Sequence, residues 1–441
     1  MSSLFAQLQK PVSIAPLVFF RIYFALMLFM EAIGAIFIGF VESAYLADDF
    51  HFKFFWMEWL PVLPGNGMIV LYALMAVFAL MMLLGYYYRF AALAFMFAFA
   101  YGFLMEKTHY INHHYLVILL SFVSFLTPAH RFLSLDVKRN PKIKQTRVAA
   151  WTVFIFPALM GVVYIYAAFA KISADWLQAM PLKIWLSSKS DFWFIGPILT
   201  HELTAYFFAY GGIFFDLLIV PFMLWPKSRK WAFFLAGTFH LMNLVVFHIG
   251  IFPFIAMALT AMFFPPKNFH FLFPARFQVE LNQPLYRPIA IDKAFFRVAL
   301  VFMLLQILVP LRPYFISSHT LWTEEGKRFS WMMMLRNKRG FNTFYVYKDG
   351  SSTPIEEMPS DRLSFKKARK IGGRPDMIWQ YAQYLKGIYL EEGAEEVVIK
   401  VKAEASLNGR PMQLMIDPEV DLAATQWQWL KANPWILPLE N

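Results

Sequence analysis

Residues 149–176 read AAWTVFIFPALMGVVYIYAAFAKISADW. From Ala149 to Ala170 the chain runs 22 residues without a charge. At a helical rise of about 1.5 Å per residue, that length crosses the roughly 30 Å hydrocarbon core of a bilayer. Lys171 follows as the only charge between Val148 and Asp175. The stretch therefore predicts a transmembrane helix with a cation at its end. Further apolar runs lie near Pro16–Phe40, Gly67–Tyr87, Phe90–Met105, Tyr115–Pro128, Leu203–Trp225, Trp231–His248, Ile251–Phe264 and Ala294–Pro310, which makes eight or nine expected spans. The fold class that follows is a polytopic α-helical membrane protein.

Composition agrees. Of 441 residues, 59% are hydrophobic and 16% charged, against about a quarter charged in an ordinary soluble domain. So much apolar surface needs lipid as its solvent. The formal net charge of +11 does not point to nucleic acid, because the Lys and Arg sit in short stretches between apolar runs. They read as topology signals. Positive charge gathers in Arg131–Arg147, Pro226–Lys230 and Lys267–Lys293, while Val41–Phe50 carries Glu42, Asp48 and Asp49. With nine spans, one orientation satisfies all of these: N-terminus cytoplasmic and C-terminal region periplasmic or lumenal. Glu106–His114 and the loop after Lys171 fall on that same side. The first apolar run is expected to span rather than to be cleaved as a signal. His51–Leu60, HFKFFWMEWL, is too short to cross and is expected at an interface. The absence of cysteine excludes disulfides, thiolate nucleophiles and Cys-ligated metal sites.

After Pro310 the pattern changes. Val397, Ile399, Val401, Ala403, Ala405 and Leu407 alternate with mostly polar neighbours, and Asn408-Gly409 offers a hairpin turn into Met412–Ile416. Thr343–Tyr347, Asp349-Gly350 and Thr353–Glu357 suggest a second strand pair, and Pro375–Tyr389 reads as a helix with Pro in its first turn. The expected division is a helical transmembrane domain over 1–312 and a non-cytoplasmic α+β domain over 313–441.

Several intramembrane polar residues could carry chemistry. Lys171 either snorkels at a helix end or, desolvated, serves as a neutral general base. His109 and His113 have an HxxxH spacing, but no carboxylate or third His stands at a matching position nearby, so a metal is not expected. Asn112 and a neighbouring His are expected to hydrogen-bond a polar group in the bundle. His240 and Asn243 share a helical face in an apolar span, followed by Phe247-His248. They could serve a ligand or simply bond between helices. Asp216, an acid within a span, calls for a cationic partner, either Lys171 or a His. Trp331, Met333 and Met334 could be interface filler or an adaptable wall for a flat ring with an isoprenoid tail.

At these positions the sequence resembles the vitamin K-dependent γ-glutamyl carboxylases. Asn112-His113-His114-Tyr115-Leu116 is similar to the family's N-H-S-Y-L segment. Ala170-Lys171-Ile172-Ser173-Ala174-Asp175-Trp176 is similar to K-K-L-D-A-D-W, with Lys171 on the second, catalytic Lys and Ala170 on the first. Glu202-Leu203-Thr204 with Gly211-Gly212 and Asp216 resembles E-L-T…G-G…D, and Phe239–Asn243 resembles F-H-C-M-N. Phe329–Met334 resembles Y-S-W-D-M-M, Asp376-Met377…Gln380-Tyr381-Ala382 resembles D-M-x-x-Q-Y-A, and Asp417–Asp421 resembles D-P-R-V-D. The likeness runs in order from Asn112 to near the C-terminus and suggests a short, bacterial-type member.

The resemblance implies a reaction. Lys171 would deprotonate vitamin K hydroquinone of the menaquinone or phylloquinone type, and O₂ would add. The strong base so formed would take the γ-hydrogen of a protein Glu as the quinone becomes an epoxide, and the carbanion would capture CO₂. His113 and Asn112 would hydrogen-bond the quinone oxygens, with His240, Asn243, Trp331, Met333 and Met334 around the quinone or peptide. The implied partners are a Glu-containing peptide or protein, an isoprenoid quinone and membrane lipid. The alternatives are a quinol epoxidase or oxidase that does not carboxylate, and a non-enzymatic lipid- or quinone-binding module.

Overall fold

A computed structural model describes residues 2–247, 249–287, 290–316 and 318–440. Among the described residues, seven helices are long and apolar enough to cross a membrane. Six of them are α1 (Ala15–Phe37), α2 (Gly67–Leu84), α3 (Tyr88–Met105), α5 (Trp151–Ala170), α6 (Glu202–Leu224) and α7 (Arg229–Phe247). The seventh segment, Asp292–Phe315, begins within α9 (Ala290–Leu308). Two shorter apolar helices, α4 (Asn112–Leu126) and α8 (Phe252–Ala261), complete the expected set. His248, expected to end the seventh run, lies outside the described residues.

These helices are apolar on every side, as spans must be. Their outward faces show Phe207, Phe214, Trp231 and Phe234, while small residues such as Ala25, Ala32, Ala76 and Ala79 are buried between α1 and α2. Small residues let helix backbones approach where no hydrophobic force separates helix from lipid.

The two ends of the bundle differ. At one end the basic loops gather: Arg131 forks onto Asp292 at 2.9 and 3.0 Å, Lys144 pairs with Glu280 at 2.6 Å, and Pro11–Ser13 pairs antiparallel with Arg147–Ala149. At the other end sits a four-stranded antiparallel sheet in the order β2-β1-β3-β4. Its strands are β1 (Lys338–Lys348), β2 (Ile355–Glu357), β3 (Val397–Leu407) and β4 (Gln413–Leu414). The helix α10 (Pro375–Glu391) buries Met377, Ile378, Tyr381 and Leu385 in the same core as the sheet. Every alternate residue of β3 from Val397 to Leu407 is buried, as its period-2 pattern requires. Asn408 and Gly409 both adopt positive φ, at 53° and 87°, which a primed turn demands. The strand expected over Met412–Ile416 narrows to Gln413–Leu414. Pro411 brings no N–H to the ladder, so pairing begins only beyond it.

The sheet domain is fastened to three loops of the bundle. Lys107 Nζ and Arg328 Nη1 both reach Asp376 Oδ2, at 2.6 and 2.8 Å, and Lys367 meets Glu106 at 3.0 Å. Ser364 donates to Asp48 from backbone and hydroxyl, and Arg410 and Asn408 clasp Asp175 at 2.7 Å each. The loops of Glu106–His114 and of Asp175 thus share the face of the C-terminal region, as the charge pattern predicts. His51–Leu60 is irregular and leaves Trp56 and Trp59 exposed, while Phe54 stacks on Phe103 at 5.3 Å.

Asp376 is the centre of this fastening. Burial alone would raise its pKa, but the charges and hydrogen bonds of Arg328 and Lys107 outweigh burial and hold the carboxyl well below its usual range. A depressed carboxylate contributes stability above its unfolded pKa, lost as pH falls through the folded value. Docking of the sheet domain should therefore persist to below about pH 4. Asp376→Asn should expose that dependence by leaving the buried Lys107 and the half-buried Arg328 without their shared carboxylate. The expected loss is about 3–5 kcal/mol, read as a lower unfolding temperature and faster hydrogen exchange along α10.

Candidate active site

The last turn of α5 sets the first element of the site. Helical bonding runs out at Ala170, and Lys171 caps the helix with its Nζ 3.3 Å from the carbonyl of Ala167. An ammonium there meets the negative end of the helix dipole. From α6, Asp216 brings Oδ2 to 2.6 Å from Lys171 Nζ, and both residues are buried. Gly212, one turn before Asp216, lies against both partners: a Cβ there would make ordinary contact with Lys171 Cε at 3.8 Å and the Trp176 ring at 3.7 Å. Trp176 is in turn fixed by its indole N–H, which donates to Ala209 O at 2.8 Å. Asp216's cationic partner is thus Lys171 rather than a histidine.

This pair opens on a cavity of about 590 Å³ between α1, α3, α4, α5, α6, α7 and α8, walled mainly by apolar side chains. Six of the eight expected residues line it: His113, Lys171, His240, Asn243, Met333 and Met334. His113 stacks on Phe252 at 4.8 Å, and His240 bonds the Tyr164 hydroxyl at 3.1 Å. Among the described residues, Nδ1 of each ring is buried without a hydrogen-bond partner. Neither imidazole is locked by a second bond, so each can turn toward an oxygen held in the cavity. Two ring-facing histidines, an amide and thioethers around apolar space fit a flat dioxygenated ring with a greasy tail.

The other two expected residues lie apart. Asn112 accepts from Tyr110 Oη at 2.8 Å, donates to Met332 O at 3.5 Å, and lines a neighbouring cavity. Trp331 is fully buried and packs against Tyr115 at 5.2 Å. His109 belongs to a short turn before α4 and packs edge-on to Phe40, so it does not share a helical face with His113.

That neighbouring cavity, about 200 Å³, shares Ile111, His113, Met333 and Met334 with the first. Lys107, Lys327, Arg328, Arg336 and Arg374 line it, against Glu324 as the carboxylate on its wall. Glu324 pairs with Arg336, and also with Lys327 at 3.4 Å. Burial, then the neighbouring Arg374, pushes the pKa values of Lys327 and Arg336 well down. The cavity holds more positive charge than its own acids balance. Chain positions from 107 to 374 build it, with no local spacing to betray it. Sequence reasoning also passed over Glu31, which lines the larger cavity. Its signal was available as the lone acid within an apolar span.

Comparison with known families accords with this arrangement. Residues 9–267 match the HTTM domain, and residues 291–441 match the vitamin K-dependent gamma-carboxylase lumenal domain. The chain belongs to the vitamin K-dependent gamma-carboxylase family. No solved structure matches it.

A double-mutant cycle tests the pairing of Lys171 with Asp216. Lys171→Met and Asp216→Leu should each cost about 3–5 kcal/mol by stranding the other charge, while the double substitution recovers most of that loss. Thermal unfolding in detergent reads all three variants.

Proposed function

We propose that this chain is a vitamin K-dependent γ-glutamyl carboxylase-like lyase, with residues 1–312 as its transmembrane domain and 313–441 as its non-cytoplasmic domain. One observation carries the reading: an apolar cavity holding a buried Lys–Asp pair borders a cationic cavity across a wall that includes His113, Met333 and Met334. A vitamin K hydroquinone bound in the first cavity would supply, with O₂, a base strong enough for a glutamate γ-hydrogen, which no side chain can provide. The second cavity offers what the other substrate needs, since its five basic side chains outnumber the two carboxylates, Asp376 and Glu324, that pair with four of them, which leaves net positive charge for a carboxylate.

The chain's own residues then have separable roles. Transfer of the Lys171 proton to Asp216 across 2.6 Å leaves a neutral amine that accepts a hydroxyl proton at Nζ. His113, His240 and Asn243 hold ring oxygens, and Met333 and Met334 form the wall between ring and peptide. Asn112, on the cationic side, meets the peptide. Trp331 supports Tyr115 from behind. The apolar lining excludes water from a base and a carbanion that water would quench. CO₂ needs no charged site and reaches the carbanion through the same apolar space.

The charge pattern supports an N-terminus in the cytoplasm, with peptide arriving from the periplasmic or lumenal side. Purified protein supplied with reduced vitamin K, O₂, labelled CO₂ and a short Glu peptide tests the roles. Lys171→Ala should lower epoxide formation and fixed label together, by on the order of 10²–10⁴-fold. Arg336→Met and Lys327→Met should instead raise the peptide KM about 10–100-fold and spare quinone binding. Unchanged turnover in Lys171→Ala would refute the assignment.

A further inference from the structure

The far wall of the large cavity carries a second pair of ionisable groups that the roles above leave idle. Glu31, the only acid in α1, sits with Oε1 3.9 Å from Nε2 of His114. His114 stands where the related segment N-H-S-Y-L has Ser. The separation exceeds a direct hydrogen bond and suits one bridging water or a small side-chain swing. Glu31, His114 and Phe99 line both the large cavity and a separate side chamber of about 250 Å³. The two titratable groups therefore stand in the partition between them.

The side chamber is more polar than the large cavity. Tyr45, Tyr72, Glu106 and His109 line it together with the pair. The Tyr45 and Tyr72 hydroxyls lie 3.3 Å apart, and Glu106 is held by Lys367 of the sheet domain at 3.0 Å. A chamber of that size holds roughly eight waters at ~30 Å³ each. Its polar groups run from Glu31, in the last third of α1, to Glu106, which is buried beneath the docked sheet domain.

The reaction proposed above has a proton to dispose of. A hydroquinone brings two hydroxyl protons and the γ-carbon brings one. The epoxide product keeps none of the three, one water takes two, and the new carboxylate leaves the last as a free proton. In an apolar cavity that proton needs a route out, or Lys171 is never restored as a base. We infer that Glu31 and His114 form this route: a proton relay passing one proton per turnover from the cavity to water in the side chamber. At the relay, the proton bonds to Nε2 of His114, then leaves it for the Glu31 carboxylate and then for water in the chamber. No electrons change hands.

The inference rests on the proposed function, so its test carries a readout that needs no turnover. Glu31 gives a protonated-carboxyl stretch in infrared difference spectra, assigned by its loss in Glu31→Gln. In D₂O this band should shift promptly in the wild type. Gly34 lines the chamber and has open space where a side chain would grow. Gly34→Leu should therefore plug the chamber and delay the shift without touching Glu31. An equally prompt shift in Gly34→Leu, or no Glu31→Gln-sensitive band at any pH, overturns the relay. In the turnover assay, Glu31→Gln should lower kcat on the order of 10²-fold with the quinol KM unchanged, and added formate should restore part of it. A raised KM at unchanged kcat would make the pair a quinol ligand and overturn the relay. If exchange behaves as described but the wild type turns over no quinol, the relay stands and the carboxylase reading fails.

Discussion

The arrangement depends on the ion pair between Lys171 and Asp216, buried at the end of one transmembrane helix and the middle of another. Two charges in an apolar bundle are costly to desolvate, and each is tolerable only because the other lies 2.6 Å away. That requirement fixes how α5 and α6 meet, and Trp176 ties the segment after Lys171 to α6 through its bond to Ala209 O. It also leaves a group that exchanges a proton with a neighbour at almost no distance, inside space that water has little reason to enter. Chemistry and packing make the same demand on these residues.

Around the pair, the molecule separates two kinds of space. The large cavity belongs to the bundle and is walled by apolar and aromatic side chains. The cationic cavity lies at the seam between bundle and sheet domain, and it exists only because Asp376, Glu106, Asp48 and Asp175 hold that domain in place. Met333 and Met334 stand between the two spaces, in a segment leading from the last transmembrane helix toward β1. The docked domain is thus part of the site.

Much of this was legible in the sequence, for reasons that differ by element. Spans are legible because bilayer thickness imposes a length, and β3 is legible because burial on one face imposes alternation. Lys171, His113, His240 and Asp216 stood out as polar groups where lipid forbids them. The cationic cavity was not legible, because Arg328, Arg336 and Arg374 come together only in the folded C-terminal domain and Lys107 joins them only through docking. Trp331 and Met333 share a motif yet part company, one into the core and one into the cavity wall, since the left-handed backbone at Trp331 breaks the alternation that would keep them on one side. Glu31 obeyed the same rule that singled out Asp216 and was passed over only because no motif surrounds it.

The central claim is that one chain couples quinol oxygenation in the apolar cavity to carboxylation of an acid held in the cationic one. The most direct measurement is the ratio of epoxide formed to γ-carboxyglutamate formed by the wild-type protein, with the peptide concentration raised to saturation. The account predicts that both products appear and that their ratio falls toward one as peptide saturates. Epoxide at an undiminished rate with no γ-carboxyglutamate at any peptide concentration would contradict it.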